Sequence, residues 1–549
     1  MLARLAVVSL VALAWAGAAA PRASAHAVLI KTVPHQGALL HEEPRRIVLR
    51  FSEAVETSFG AVRIYDEHGK RVERGAPLRP SADTIAIGIR PGLLGVYTVS
   101  YRVLSADGHP VSGAFVFGMH QAPSAKALAR ASRRAPTSEA RGVETAFGVA
   151  RGLNYLALLL LIGSLPFFWF VWRPGRESVA PGPRRLLIGG AVIGLLTALA
   201  AIPLLGLIAA GLPLDDILTR SVLDASLATR TGTAWAVRSG SWLAVLLLLL
   251  LPLALRVRMA ALTIPAAVLV VTLSVAGHAG TTRPRAVLAP ADAIHVLAAG
   301  TWLGGLVMLL LVFWPRRDAP LGEAAATATR RFSGLALPAV MLLVASGVAE
   351  AWFYLGSIDR LTDTSWGLVL VAKVALLGII VALAARNRRV VSRLSASSAG
   401  GLGAALRRSM RAEVALAVLV LSATAVLVRS APPVSIATAP PDLRLRLGPM
   451  EAHVQVEPAA TGRNNITMHV FNSRTGRPAS RIKEMTLRLA MAKNHIGPLK
   501  IKLKRAEAGQ FKAPAQMLPV QGRWQMELDA RVSEFDAFSA KAKFDVHKP

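Results

Sequence analysis

Two histidines near the start of the chain stand where they could hold a metal ion. His26 follows Ala23-Ser24-Ala25, the small-residue ending of an export signal, and cleavage there would leave it with a free amine as well as an imidazole. The second, His109, lies two residues after Asp107 in Ser105-Ala106-Asp107-Gly108-His109-Pro110, on a turn expected to follow a strand. An amine, two imidazoles and a carboxylate make a square nitrogen and oxygen set, and that coordination suits Cu(II). The same residues also read as an ordinary Asp-Gly turn with His109 merely exposed. Cysteine is absent, which excludes disulfides, thiolate metal sites and CxxC redox chemistry.

A second group lies in the apolar middle of the chain. His278 and His295 are the only histidines between residues 143 and 430, and both fall near the expected outer surface. Counting ~1.5 Å per residue, His295, Glu350 and Lys373 all lie on the order of 10 Å inside an apolar stretch. Ionisable side chains in a bilayer are costly and mark ion routes by default. A shared polar pocket, with His278, His295 and Glu350 at the outer mouth of a cation path and Lys373 as counter-charge, is one reading. A structural Glu350 and Lys373 pair that locks two helices is the other. Met308 and Met341 are soft ligands by type, but single methionines in membrane helices are usually packing residues.

The elements that must position these groups follow from composition. The chain has 549 residues, a net charge of +31, 53% hydrophobic and only 17% charged residues. A single soluble domain is excluded, and a membrane-embedded portion is indicated. Nucleic acid is not an expected partner, because the arginines sit in short runs between apolar stretches rather than on one basic face. Residues 1–25, with Arg4 and an apolar run from Leu5 to Ala20, read as a signal peptide; an uncleaved anchor is the alternative. Residues 26–120 carry short alternating runs such as Ile47 to Phe51, Val96 to Tyr101 and Ala114 to Phe117, which predict a small β-sandwich. Residues 121–142 are an expected linker.

Eight stretches between residues 143 and 430 are long enough to span, at about 149–172, 186–211, 234–255, 259–277, 290–314, 333–356, 366–386 and 412–430. With the first sandwich outside, seventeen arginines fall in inner loops and five, Arg220, Arg230, Arg283, Arg285 and Arg360, in outer ones. The positive-inside rule then puts both ends of the chain outside. A Pro-rich linker at 431–442 leads to residues 443–549, where alternation in Ile466 to Phe471, Met485 to Leu489 and Trp524 to Leu528 predicts a second β-sandwich. The expected fold class is therefore multidomain: an N-terminal all-β, Ig-like sandwich, an eight-helix transmembrane bundle and a C-terminal β-sandwich. Met491, His495 and His469 in the last segment could present a soft nitrogen and sulfur site on strands, but the expected reading is surface histidines without partners, and no residue there is offered as a site.

His26-Ala27-Val28-Leu29, Phe51-Ser52-Glu53, Tyr97 to Val103 and Ser105 to Gly113 together resemble the periplasmic copper-resistance protein family CopC, over the whole first domain. That resemblance implies Cu(II) bound by His26, Asp107 and His109. It implies no methionine-rich Cu(I) loop, since Met119 is the only methionine there. Gly277-His278-Ala279-Gly280, Asp292 to Gly305, Arg331-Phe332-Ser333 and Ala385-Arg386-Asn387-Arg388 resemble the inner-membrane family CopD, and the last domain is similar to YtkA-like sandwiches. The resemblance implies a CopC-CopD fusion that captures Cu(II) in the periplasm and moves copper, as Cu(I) or Cu(II), across or to the bacterial inner membrane. Expected partners are copper ions, the lipid bilayer and a periplasmic copper donor or cuproprotein acceptor. No Walker-type GxxxxGK[ST] or DKTG-like motif is present, so ATP-driven pumping is not expected. Sequestration with the helices as an anchor, or a copper-brace oxidative enzyme, are the alternatives; the expectation is a non-enzyme.

Overall fold

The structure is a computed structural model and describes residues 27, 29–57, 62–105, 108, 110–121, 123, 141–172, 181–210, 212, 214–282, 284–313, 323–392, 399–429, 433, 442–457, 459–473, 478–491, 496–507, 509–534 and 536–546. The expected signal peptide, His26, Asp107, His109, His495 and most of both expected linkers lie outside the described residues.

Strands form where β-branched and aromatic residues alternate with polar ones. In β3 (Arg46–Phe51), Ile47, Leu49 and Phe51 are fully enclosed while Arg46 and Arg50 face solvent. One sheet of the first sandwich runs β1 (Leu29–Val33), β3, β7 (Thr84–Ile89), β6 (Glu73–Ser81). The other runs β2 (Leu39–Leu40), β9 (Pro110–Met119), β8 (Gly95–Ser105), β4 (Val55–Glu56), with β5 (Val62–Tyr65) also paired to β8. Strands β8 and β9 are antiparallel partners from Gly95 with Met119 to Leu104 with Pro110.

The second sandwich has one sheet in the order β10 (Asp442–Leu447), β11 (Met450–Glu457), β12 (Gly462–Asn472), β16 (Gln510–Leu518), β15 (Lys504–Glu507). Its other sheet runs β14 (Ile496–Lys502), β13 (Glu484–Met491), β17 (Gly522–Arg531), β18 (Ala537–Val546). Trp524 fills the space between them, fully enclosed, and its indole N–H donates to the Val520 carbonyl at 3.0 Å, so the buried donor is satisfied.

Eight helices are long and apolar enough to cross a membrane: Gly142–Val171, Gly182–Ala210, Arg230–Leu250, Leu255–Ala276, Arg285–Val312, Ala325–Leu355, Ser365–Arg389 and Arg408–Val428, here spans one to eight. Seven of them start four to eight residues before the apolar stretch that marks them in the sequence, because the helix continues through polar first turns such as Arg230 to Thr233. Span one begins in a helix from Arg141, and β10 begins at Asp442, so both reach into segments expected to be linkers. Large apolar side chains stay exposed along the helices, Ile264 at 71% and Trp352 at 69%, as a hydrocarbon surround requires.

Spans one and five meet through small residues. A Cβ on Gly163 would come within 2.4 Å of the Gly300 carbonyl oxygen and Gly304, and at this level span five passes through one π-helical turn, Gly300–Gly304. The chain divides into two compact units. The helices form one, together with Ala106–His109; the two sandwiches form the other. Within the latter, Phe471 of β12 and Val116 of β9 are buried against each other with Val96 and Ala114 around them.

Candidate functional site

Spans four to seven bring together one cluster of polar side chains. His295 and Asp292 stand three residues apart on span five, and that spacing puts them on one helix face. The His295 Nδ1 lies 3.1 Å from the Ser346 hydroxyl of span six. That hydroxyl donates to the Leu342 carbonyl at 2.7 Å, an arrangement that suits Nδ1–H as the donor and Nε2 as the basic nitrogen, and the ring also hydrogen-bonds the Leu343 backbone. Gly347 makes room for the ring: a Cβ there would come 3.1 Å from the His295 Cε1.

Glu350, one turn along span six from Ser346, and Lys373 of span seven complete the cluster. Asp292, Glu350 and Lys373 are close enough for each charge to act on the other two, and His295 feels the Lys373 ammonium. The Ser274 hydroxyl of span four is buried near the Asp292 carboxylate and has no hydrogen-bond partner. Glu350 keeps one oxygen, Oε1, shut off from solvent and without a hydrogen-bond partner. Two carboxylates against one ammonium give the ionised cluster a charge of −1, which a monovalent cation would cancel. The structure thus brings His295, Glu350 and Lys373 together and adds Asp292, Ser274 and Ser346, which were not among the candidates.

His278 stands elsewhere. It opens the short helix His278–Thr281, places its ring 6.5 Å from that of Tyr354, and lines a pocket with Arg151 and Arg238. Met308 is fully buried among apolar neighbours and Met341 is 66% exposed on the outside of span six. Toward the arginine-rich end, the Asn387 amide of span seven donates to Glu413 of span eight, both buried. Among the described residues no group of three or more His, Asp or Glu side chains is gathered around a single metal position.

None of His26, Asp107 and His109 is among the described residues; Gly108, between the last two, has φ +84°, is buried, and belongs with the helical unit. Within that unit a Cβ on Gly108 would come 2.8 Å from Thr231 Cγ2, at the start of span three.

In the C-terminal sandwich one expectation fails. His469 is not a surface residue: its ring packs against Gly37, its Nε2 is buried with no hydrogen-bond partner, and burial followed by the charges of His35, His453 and Lys512 pushes its pKa down to about 4. His453 stands directly opposite it in the register of β11 and β12. Met491 belongs to the core of this sandwich.

Eight helices of spanning length make this a multi-pass membrane protein, with carboxylates, a lysine and a histidine packed among them. Residues 29–120 match the CopC domain family, residues 142–283 the copper resistance protein D-like N-terminal domain, and residues 326–427 copper resistance protein D. Among relatives, "Copper transport protein CutJ" of Bacillus subtilis (strain 168) is 24% identical over 93% of this chain and 94% of its own. "Copper resistance protein D" of Pseudomonas syringae pv. tomato is 29% identical over 49% of this chain and 90% of its own length. "Protein YobA" of Escherichia coli (strain K12) is 31% identical over 18% of this chain and 82% of its own. The chain belongs to the CopC and CopD copper-resistance families, both carried in one polypeptide.

Proposed function

We propose that this protein takes up Cu(II) outside the inner membrane on its N-terminal sandwich, at His26, Asp107 and His109, and passes copper into the helical unit at the cluster of His295, Asp292 and Glu350. The observation that carries this reading is the cluster itself: an imidazole, an ammonium and two carboxylates, one of which keeps an oxygen without a hydrogen-bond partner, are gathered between the spans. A neutral imidazole ligates either copper state. The carboxylates lower the cost of holding the cation in a low-dielectric layer. Lys373 is the internal counter-charge when copper is absent and is displaced from the carboxylates as copper enters. Ser346 holds the imidazole through Nδ1, in the tautomer that presents Nε2. A set with few ligands suits a cation in passage better than a closed cage.

Both soluble domains then face the periplasm. The arginine distribution supports that side, and the packing of the sandwiches into one compact unit supports their sharing a compartment. The reading is tested by copper uptake into proteoliposomes. His295→Ala should abolish uptake while the Cu(II) spectrum of the N-terminal domain is unchanged. Uptake at the parental rate by that variant and by Glu350→Gln would return the cluster to a structural pair and the protein to periplasmic sequestration.

A further inference from the structure

The arginine-rich end of spans seven and eight holds a polar pair of its own. Asn387 of span seven and Glu413 of span eight are both buried, Glu413 at 3% exposure, and the Asn387 amide donates to the Glu413 Oε1. Asn387 belongs to the Ala385-Arg386-Asn387-Arg388 segment, to which the copper route described above gives no role. Glu413 lies five residues inside the end of its span, on the order of 8 Å. Charge is plentiful around it. Arg386, Arg388 and Arg389 of span seven, Arg330 and Arg331 of span six, and Arg408 are exposed, and Arg411 is half-buried. Among the described residues Glu413 nevertheless forms no ion pair, and its hydrogen-bond partner is the neutral amide. The stretch of span five packed against span eight, Gly305–Phe313, has no ionisable side chain. An ionised carboxylate enclosed in this way bears a desolvation cost that one neutral donor does not offset, and a bound proton removes it. A glutamine would accept the same hydrogen bond with no charge to hide, so an acid at this position has a use beyond packing.

We propose that Glu413 is a proton site, which exchanges its proton with water at the arginine-rich end of the bundle and gives it up as copper leaves there. The coupling to copper rests on the transport proposed above; the proton site itself does not. Ser409 supports the way to water: it lies one turn nearer that end on the same helix face, and its hydroxyl is buried without a hydrogen-bond partner. The exchange balances in charge. One proton passes from Glu413 to water as a positive charge passes the carboxylate, and it is regained once the metal has gone. Span seven joins the two sites, since Lys373 and Asn387 are 14 residues apart on it, ~21 Å along the axis and within ~40° of one face.

The proton site is tested on the full chain in detergent, free of copper. Infrared spectra should show a protonated-carboxyl component that fades as the pH rises, that Glu413→Gln loses and that Glu350→Gln keeps. Should Glu413→Gln fail to fold, dicyclohexylcarbodiimide, an apolar reagent that attacks protonated carboxyls, decides on the wild type. Peptide mass spectrometry should then find the reagent on Glu413, in an amount that falls with rising pH. A component that a folded Glu413→Gln retains in full overturns the proposal, as does labelling of Glu413 that is absent or equal at every pH. The coupling is tested by copper uptake into proteoliposomes at fixed outer and varied inner pH. Wild-type uptake should vary with the inner pH, and Glu413→Gln should lose that variation. A wild type indifferent to the inner pH, or equal dependence in the two proteins, overturns the coupling. No uptake by the wild type at any pH would instead overturn the transport reading and the coupling with it, while the infrared result still decides the proton site.

Discussion

Acidification should weaken the packing of the two sandwiches against each other, and His469 sets the size of the effect. Its buried imidazole lies against Gly37 among His35, His453 and Lys512, and its pKa is pushed down to about 4. A histidine in an unfolded chain titrates near ~6.5. As the pH falls through that value the unfolded chain takes up a proton that the folded chain refuses until about 4, so stability present above ~6.5 is lost across this window. A gap of ~2.5 units at ~1.36 kcal/mol per unit sets a limit of about 3.4 kcal/mol, of which about 2 kcal/mol is gone by pH ~5. His35 is held below its usual value by burial and then by Lys512, and it adds to the loss in the same direction. The assay is urea unfolding of the full chain in detergent at pH ~7.5 and ~5, read by hydrogen exchange at the β12 amides, for the wild type and His469→Gln. His469→Gln should be flatter between the two pH values by about 2 kcal/mol. Equal pH dependence in the two proteins, or a His469 ring that titrates near ~6.5 by NMR, would refute the reasoning.

Gly163→Val should prevent close approach of spans one and five, because even a Cβ meets the span-five backbone at 2.4 Å; the expected result is loss of the monodisperse species in size-exclusion chromatography. Extending the mature chain by one Ala before His26 should weaken Cu(II) binding sharply, and affinity of the unextended chain should fall as the pH drops through about 6.5; an unchanged Cu(II) spectrum would exclude the site. An export-dependent reporter fused after Pro549 should be active and one fused after Arg393 inactive; the reverse pattern would overturn the orientation.

Local pattern made most of the fold legible. Ile47, Leu49 and Phe51 are inward because they alternate, and the spans are helical because they are long and apolar. His295, Glu350 and Lys373 stood out for a related reason: an ionisable residue in an apolar run contrasts with its neighbours. Asp292 was passed over because span five was taken to begin at about residue 290, which puts it at the membrane edge. The helix begins at Arg285 instead, and Asp292 lies two turns inside it. Arg238 was missed for another cause, since its partner Asn154 is 84 residues away and nothing periodic links them. His469 was misread because alternation tells which face of a strand a side chain takes, not what covers that face. Here the outward face of β12 is covered by the first sandwich.

The pairing of Val116 with Phe471 also bears on the order in which the protein is made. Roughly 320 residues separate β9 from β10, so at ~5–20 residues per second the first sandwich waits on the order of 15 to 60 s for its companion. During that interval the apolar patch around Val116 is bare, and eight helices are being inserted. A ribosome that stalls anywhere in the bundle leaves the patch uncovered, and only a chain translated past β12 hides it. A chain cut short within the bundle would thus carry an apolar face that the full-length chain buries, and such faces drive aggregation.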